Sequence, residues 1–232
     1  MTSILQWMAL LACVTCTLWR FPAMRQGRNR GLFWAFAMVS VSVALSIPAI
    51  YLGVDGLLGG VNLANVILRL SLFAVFFLLA SKVAAAYSSP LARRMIRGPV
   101  GLAVLAACSA GIWITYFISD LHGSSAGLWG FSDQPSVQAY AWFGRLYPAY
   151  AALCLVQPTW RAAFSRRPLL DRVAAMSMCA GFIMAVAATL VQMSPWEEGG
   201  ELLELLSFGA ILLVAAGLAM VWVSFIKRPA VL

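Results

Sequence analysis

Charge is scarce in this sequence. Only 10% of its 232 residues are Asp, Glu, Lys or Arg, 62% are apolar, and the mean hydropathy is +0.88. A soluble domain carries about 25% charged residues, so too few are present to cover a water-facing surface, and a bilayer is the expected surroundings. Histidine is almost missing, with His122 the only one. That excludes a membrane haem held by two histidines and a histidine-rich zinc site, and leaves a Ser-His-Asp triad to a single loop residue. No Lys interrupts the last apolar run, so a retinal Schiff base has no seat there. No Asp or Glu falls at mid-depth of any run, which weakens a proton-driven mechanism. Cys13, Cys16, Cys108, Cys154 and Cys179 all fall within apolar runs. The Cys13 and Cys16 pair has CxxC spacing but lacks further metal ligands and a soluble redox context, so small buried apolar residues are the reading. Catalytic residues, metal sites and cofactors are expected to be none, and the chain is not expected to be an enzyme or to bind nucleic acid.

What is present is apolar length. A membrane core of about 30 Å needs about 20 apolar residues, and seven such runs fill the chain, over residues 4–19, 33–52, 63–85, 100–119, 137–156, 173–193 and 202–225. The expectation is one all-α transmembrane domain over residues 1–232, a bundle of seven helices. The first run has the length of a signal-peptide core, but no Lys or Arg precedes Arg20 to form its basic region, so it is read as a span. Gly, Pro and Ser cluster between runs, as turns require. The longest connection, 120–136, carries Trp129 and Phe131, which suit an interface or a segment folded back as a lid.

The formal net charge of +8 is distributed by side. Fourteen of the sixteen cations follow or end odd-numbered runs, and seven of the eight acids fall on or near the opposite ends, with Asp171 the exception. The positive-inside rule then places the N-terminus outside and the C-terminus in the cytoplasm of a multi-pass plasma-membrane protein.

Arg69 and Arg145 are the two cations this rule does not explain. They lie about 9 Å and about 12 Å from the outer ends of their runs at 1.5 Å per residue. A charge at the centre costs about 2.5–3.5 kcal/mol on insertion scales, so each needs a compensating environment or must reach the headgroups. Asn62, Asn65 and Arg69 share one helical face, and so do Gln138, Trp142 and Arg145. Glu197, Glu201 and Glu204 form a third stripe. Facing inward, these stripes line an outward-open pocket, with Glu201 or Glu204 as an ion-pair partner for an arginine. Equally, they form a structural cluster that pins three helices. Pro48 and Pro148 are expected to kink their helices. Small residues such as Ala106, Ala107, Ser109, Ala110 and Gly111 favour close packing, within the chain or in a homo-oligomer.

Thr17-Leu18-Trp19-Arg20-Phe21-Pro22-Ala23-Met24-Arg25, Gly60-Val61-Asn62-Leu63-Ala64-Asn65 and the Tyr140 and Tyr150 region resemble an actinobacterial family of bacterial seven-helix integral membrane proteins classed as transporters. The resemblance implies the architecture and the transporter label without a substrate. Many members of that family carry a cytoplasmic C-terminal domain beyond the last helix, and its absence here would make this chain a minimal membrane module.

Two functions are expected from these features. The first is a transporter or ligand-binding bundle whose pocket holds an anionic small molecule or lipid group at Arg69 and Arg145. The second is a non-transporting sensor, scaffold or subunit, acting through helix packing and through basic cytoplasmic loops that attract membrane lipids or a partner protein.

Overall fold

A computed structural model describes residues 2–27, 30–193 and 200–227, and every regular element among them is helical. The helices are α1 (Thr2–Arg25), α2 (Arg30–Ser46), α3 (Pro48–Leu57), α4 (Leu63–Ala86), α5 (Pro90–Arg97), α6 (Pro99–Ile118), α7 (Pro135–Ala163), α8 (Leu169–Met193) and α9 (Gly200–Lys227), with a short 3-10 segment at Ala126–Phe131. Among the described residues, Gln6–Arg25, Leu63–Ala86, Pro90–Ile118 and Leu169–Met193 are long and apolar enough to cross a membrane. The bent pair of α2 and α3 makes a fifth if it counts as one span. The sequence reading expects seven. α7 has the length, at 29 residues, but Gln138, Tyr140, Trp142, Arg145 and Tyr147 dilute its apolar character. The apolar stretch of α9, Leu205–Val221, is shorter.

Two features differ from expectation. The run over 33–52 is broken rather than kinked: α2 ends at Ser46, Ile47 is extended, and α3 starts at Pro48, turned by 95°. Proline inside a helix loses a hydrogen bond and clashes with the carbonyl four residues back, whereas at the first helical position it loses nothing. At Pro148, the other expected kink, the helical run of α7 continues unbroken. The second feature is α5, which falls between the apolar runs over 63–85 and 100–119. Ser89 caps it by accepting from the Ala92 N–H, and Ala92 and Ile96, one turn apart, are its buried face.

The chain packs as two compact units. One comprises residues up to Leu79 together with Ala103–Pro148, and the other Ala80–Leu102 together with the residues from Ala149 onward. In the first, Leu45, Tyr51 and Ala64 form a core covered by Val41, Val54, Leu68 and Ala126. Helix directions follow from the paired contacts. The Thr17 and Ser40 hydroxyls meet at 3.3 Å and Arg20 lies over the Phe36 ring, so α1 and α2 are antiparallel. Asn65 pairs with Tyr140, Arg69 with Gly144 and Phe73 with Tyr147, so α4 and α7 run parallel. Gly111 meets Phe143, and Ser119 meets Ser136, so α6 and α7 are antiparallel.

In the second unit, Ala162, Ala163 and Ala175 pack against Tyr87. Cys179 approaches the Val156 carbonyl, so α7 and α8 are antiparallel here. α8 and α9 form an antiparallel hairpin with almost no clearance. The Ser177 hydroxyl donates to the Leu213 carbonyl at 2.7 Å, and a Cβ on Gly217 would strike the Met178 side chain and stand 2.9 Å from the Ala174 carbonyl oxygen. Among the cysteines, Cys108 and Cys179 are buried as expected, whereas Cys16 lies on an exposed face of α1.

Candidate functional site

The first unit holds a buried polar network where α3 turns into α4. Asp55 has no solvent exposure. Its carboxylate accepts from the Asn62 N–H at 3.0 Å, the Ala64 N–H at 3.1 Å and the Ser124 hydroxyl at 2.5 Å. It therefore caps α4 from eight residues before its first residue and sits in the positive end of that helix's dipole, which offsets the cost of burying a charge. Capping usually falls to the residue just before the helix, but the Asn62 side chain is engaged elsewhere. Its Oδ1 accepts from the Tyr51 hydroxyl at 3.0 Å and the Ser125 N–H at 2.7 Å, while its amide donates to the Gly123 carbonyl at 2.8 Å. Asn62 has φ of 61°, a left-handed conformation that asparagine tolerates better than most residues. The connection 120–136 thus folds back on the α3–α4 turn through Gly123, Ser124 and Ser125, as a lid would. The Trp129 side chain lies outside the described residues.

One turn along α4, Asn65 accepts from the Tyr140 hydroxyl at 2.9 Å, with both residues buried. One further turn brings Arg69 against the Tyr140 ring, 5.2 Å from its centroid. Arg69 fits because position 144 is glycine. A Cβ there would collide with the guanidinium and with Cδ. Arg145, half-buried, is the next residue of α7 after the glycine that seats Arg69. Among the described residues neither arginine forms an ion pair. A pair joins His122 to Asp120 at 2.6 Å on the exposed loop, where such a pair contributes little.

The structure brings Asn62, Asn65, Arg69 and Arg145 into one unit. Gln138 and Trp142 take the other side of α7: both are exposed, and Gln138 donates to the Ser132 carbonyl at 3.3 Å. The buried face of α7 here is Val137, Tyr140, Gly144 and Tyr147, offset from the predicted stripe. Glu201 and Glu204 lie on α9, in the other unit, and their side chains fall outside the described residues, as does all of Glu197. The sequence reading missed three contributors. Asp55, Tyr51 and Gly144 are not among the residues that the sequence singles out as a site. The 140/144 spacing, a small residue one turn after an aromatic, was the available signal for the arginine seat. Among the described residues no three His, Cys, Asp or Glu side chains converge as metal ligands would. Comparison of the chain with known protein families, with curated proteins and with solved structures yields no match.

Proposed function

We propose that this chain is a multi-pass plasma-membrane protein of seven spans, with its N-terminus outside and its C-terminus cytoplasmic, whose outer half binds an anionic group at Arg69 and Arg145. One observation carries the binding reading. Two half-buried arginines, one seated against Gly144 and the other the next residue of that helix, have no carboxylate in ion-pair range among the described residues, an arrangement that a bound anion would relieve. The alternation of helix directions and the one-sided distribution of cations support the topology. The resemblance to a transporter family extends the reading from binding to passage of that anion.

A titration of the purified full chain with acetate, an anion that carries no phosphate, tests it. Saturable thermal stabilisation is expected, and Arg69→Gln/Arg145→Gln should abolish it while insertion is retained. Arg145→Gln alone, without anion, should leave the melting temperature unchanged or raised, because a like charge is removed. A fall would mark Arg145 as structural and count against binding.

A second reading, a non-transporting sensor, scaffold or subunit, is favoured by a different observation. Asp55, Asn62 and Asn65 spend their hydrogen bonds inside the protein, which makes the outer end a latch rather than an open mouth. Solute flux in liposomes separates the two, since this reading expects none.

A further inference from the structure

The second unit contains a cleft that neither reading uses. α4 ends at Ala86, and the chain turns through Tyr87, Ser88 and Ser89 into α5, with Ser88 at φ of 50°. This turn stands against the end of α7 and the segment that follows it, enclosing about 260 Å³. Its polar lining consists of Arg161, Arg167, Gln157 and three serines, Ser88, Ser89 and Ser165. Behind it lies a smaller cavity of about 100 Å³, whose walls include Asp171, Val83 and Met178, and Tyr87 and Arg167 line both spaces. Among the described residues no acid lines the larger cleft. Asp171 faces the smaller one and accepts from the Ser224 hydroxyl. Among the described residues neither Arg161 nor Arg167 forms an ion pair, and the Arg167 guanidinium rests over the Tyr87 ring, 5.3 Å from its centroid.

Tyr87 supplies an independent sign that something is to be bound. Its hydroxyl is buried and has no hydrogen-bond partner among the described residues. An unsatisfied buried hydroxyl is disfavoured enough that native structures rarely keep one without a water or ligand. Burial, reinforced by Asp171 and opposed by Arg167, pushes the phenol up to about 12, so it stays protonated and can only be satisfied fully by an acceptor. The positive-inside rule accounts for having cations at this end of the bundle. It does not account for two of them flanking a recess lined with hydroxyls.

We propose that this cleft binds a phosphate group, presented by a lipid headgroup or by a small soluble phosphate ester. Arg161 and Arg167 supply the planar, two-pronged donors that match phosphate oxygens, and the serine and Tyr87 hydroxyls supply neutral donors. At about 260 Å³ the space is smaller than the roughly 300–1,000 Å³ of a drug-sized site, which suits a phosphate with a few carbons and not a nucleotide. The site is separate from Arg69 and Arg145, and its failure would leave the proposal for those residues standing.

The test uses the purified full chain in a neutral detergent, both native and with Arg69→Gln/Arg145→Gln to silence the first site, with inorganic phosphate, glycerol 3-phosphate and phosphatidylglycerol as probes and diacylglycerol as the phosphate-free lipid control. The readout is thermal stabilisation against probe concentration. At least one phosphate probe should saturate in the native chain, and Arg161→Gln/Arg167→Gln should weaken it by about tenfold or more, the scale of a lost charge-assisted pair. Tyr87→Phe should weaken the same probe several-fold without lowering the melting temperature of the unliganded protein. Arg93→Gln/Arg94→Gln, an equal loss of charge on the exposed side of α5, should leave the affinity unchanged. Saturation by glycerol 3-phosphate identifies a soluble ester, and saturation by phosphatidylglycerol alone identifies a lipid headgroup. The proposal is overturned if no phosphate probe saturates, if the Arg161 and Arg167 variant matches the native chain for every probe, or if the Arg93 and Arg94 variant loses as much. Should the double Gln variant not fold, Arg167→Lys keeps the charge without the fork and is expected to weaken binding alongside Tyr87→Phe.

Discussion

Asp55→Ala is expected to be the most destabilising single substitution in the first unit. The carboxylate is inaccessible to solvent and is the acceptor for two backbone N–H groups at the start of α4 and for the Ser124 hydroxyl. Alanine leaves three donors stranded in a space water does not reach. Each stranded group costs about 1–3 kcal/mol and loss of a helix cap about 1 kcal/mol, so a total of about 3 kcal/mol or more is expected. At the scale of a chain this long that is a fall in melting temperature of roughly 6–12 °C. Asp55→Asn should fall between, since one amide oxygen still accepts while the amide nitrogen meets a second donor. Thermal melts of the three proteins in one detergent check the order. Equal melting temperatures for native and alanine forms would show that the network is not what holds the α3–α4 turn.

In the second unit the largest expected effect is at Gly217. The α8–α9 hairpin closes so tightly that a methyl at this position would overlap the Met178 side chain and press on the Ala174 carbonyl oxygen at 2.9 Å. Without a water-driven hydrophobic force between helices in lipid, such close packing is the main source of their association. Overpacking typically costs about 1–3 kcal/mol, so Gly217→Ala should lower stability by about 1 kcal/mol and Gly217→Val by about 3 kcal/mol. Met178→Ala should recover part of the Gly217→Ala loss, because one of the two obstacles is a side chain that can be trimmed. The backbone carbonyl cannot, so recovery should be incomplete. A double-mutant cycle measures this coupling, and strict additivity would contradict the contact.

The two sites differ in how far they could be read from sequence. Helix positions were legible because a long apolar run declares itself without tertiary information. α4 occupies Leu63–Ala86 where residues 63–85 were expected, and α6 occupies Pro99–Ile118 where 100–119 were expected. The break before Pro48 was half legible. Proline signals a fault, but whether a helix bends or stops depends on what the second segment packs against, here through Tyr51 and Asp55. α5 was hidden by its three arginines, which obscured the two small and apolar residues, Ala92 and Ile96, that face inward.

The polar stripe on α4 was found at the right residues and its chemistry was legible only in outline. Spacing places Asn62, Asn65 and Arg69 on one face. It cannot say that Asn62 and Asn65 are consumed by Tyr51, Tyr140 and the loop, because those partners are 11, 75 and 61 or more residues away. On α7 the predicted stripe took Gln138, Trp142 and Arg145 for the inward face because polarity was used as the guide. The helix instead buries Tyr140, Gly144 and Tyr147, whose rings and lack of a side chain fit α4.

α7 is the element on which the proposed topology rests most heavily, since it carries Arg145 and is not among the helices apolar enough to cross a membrane on composition alone. If it spans the bilayer, its two ends must face opposite sides. In a cysteine-free background, single cysteines at His122, exposed in the loop before α7, and at Arg166, exposed just after it, can be labelled on intact cells with a membrane-impermeant thiol reagent. The account predicts that His122→Cys is labelled from outside and that Arg166→Cys reacts only once the membrane is permeabilised. Labelling of both from the same side would contradict the seven-span topology and remove Arg145 from the membrane.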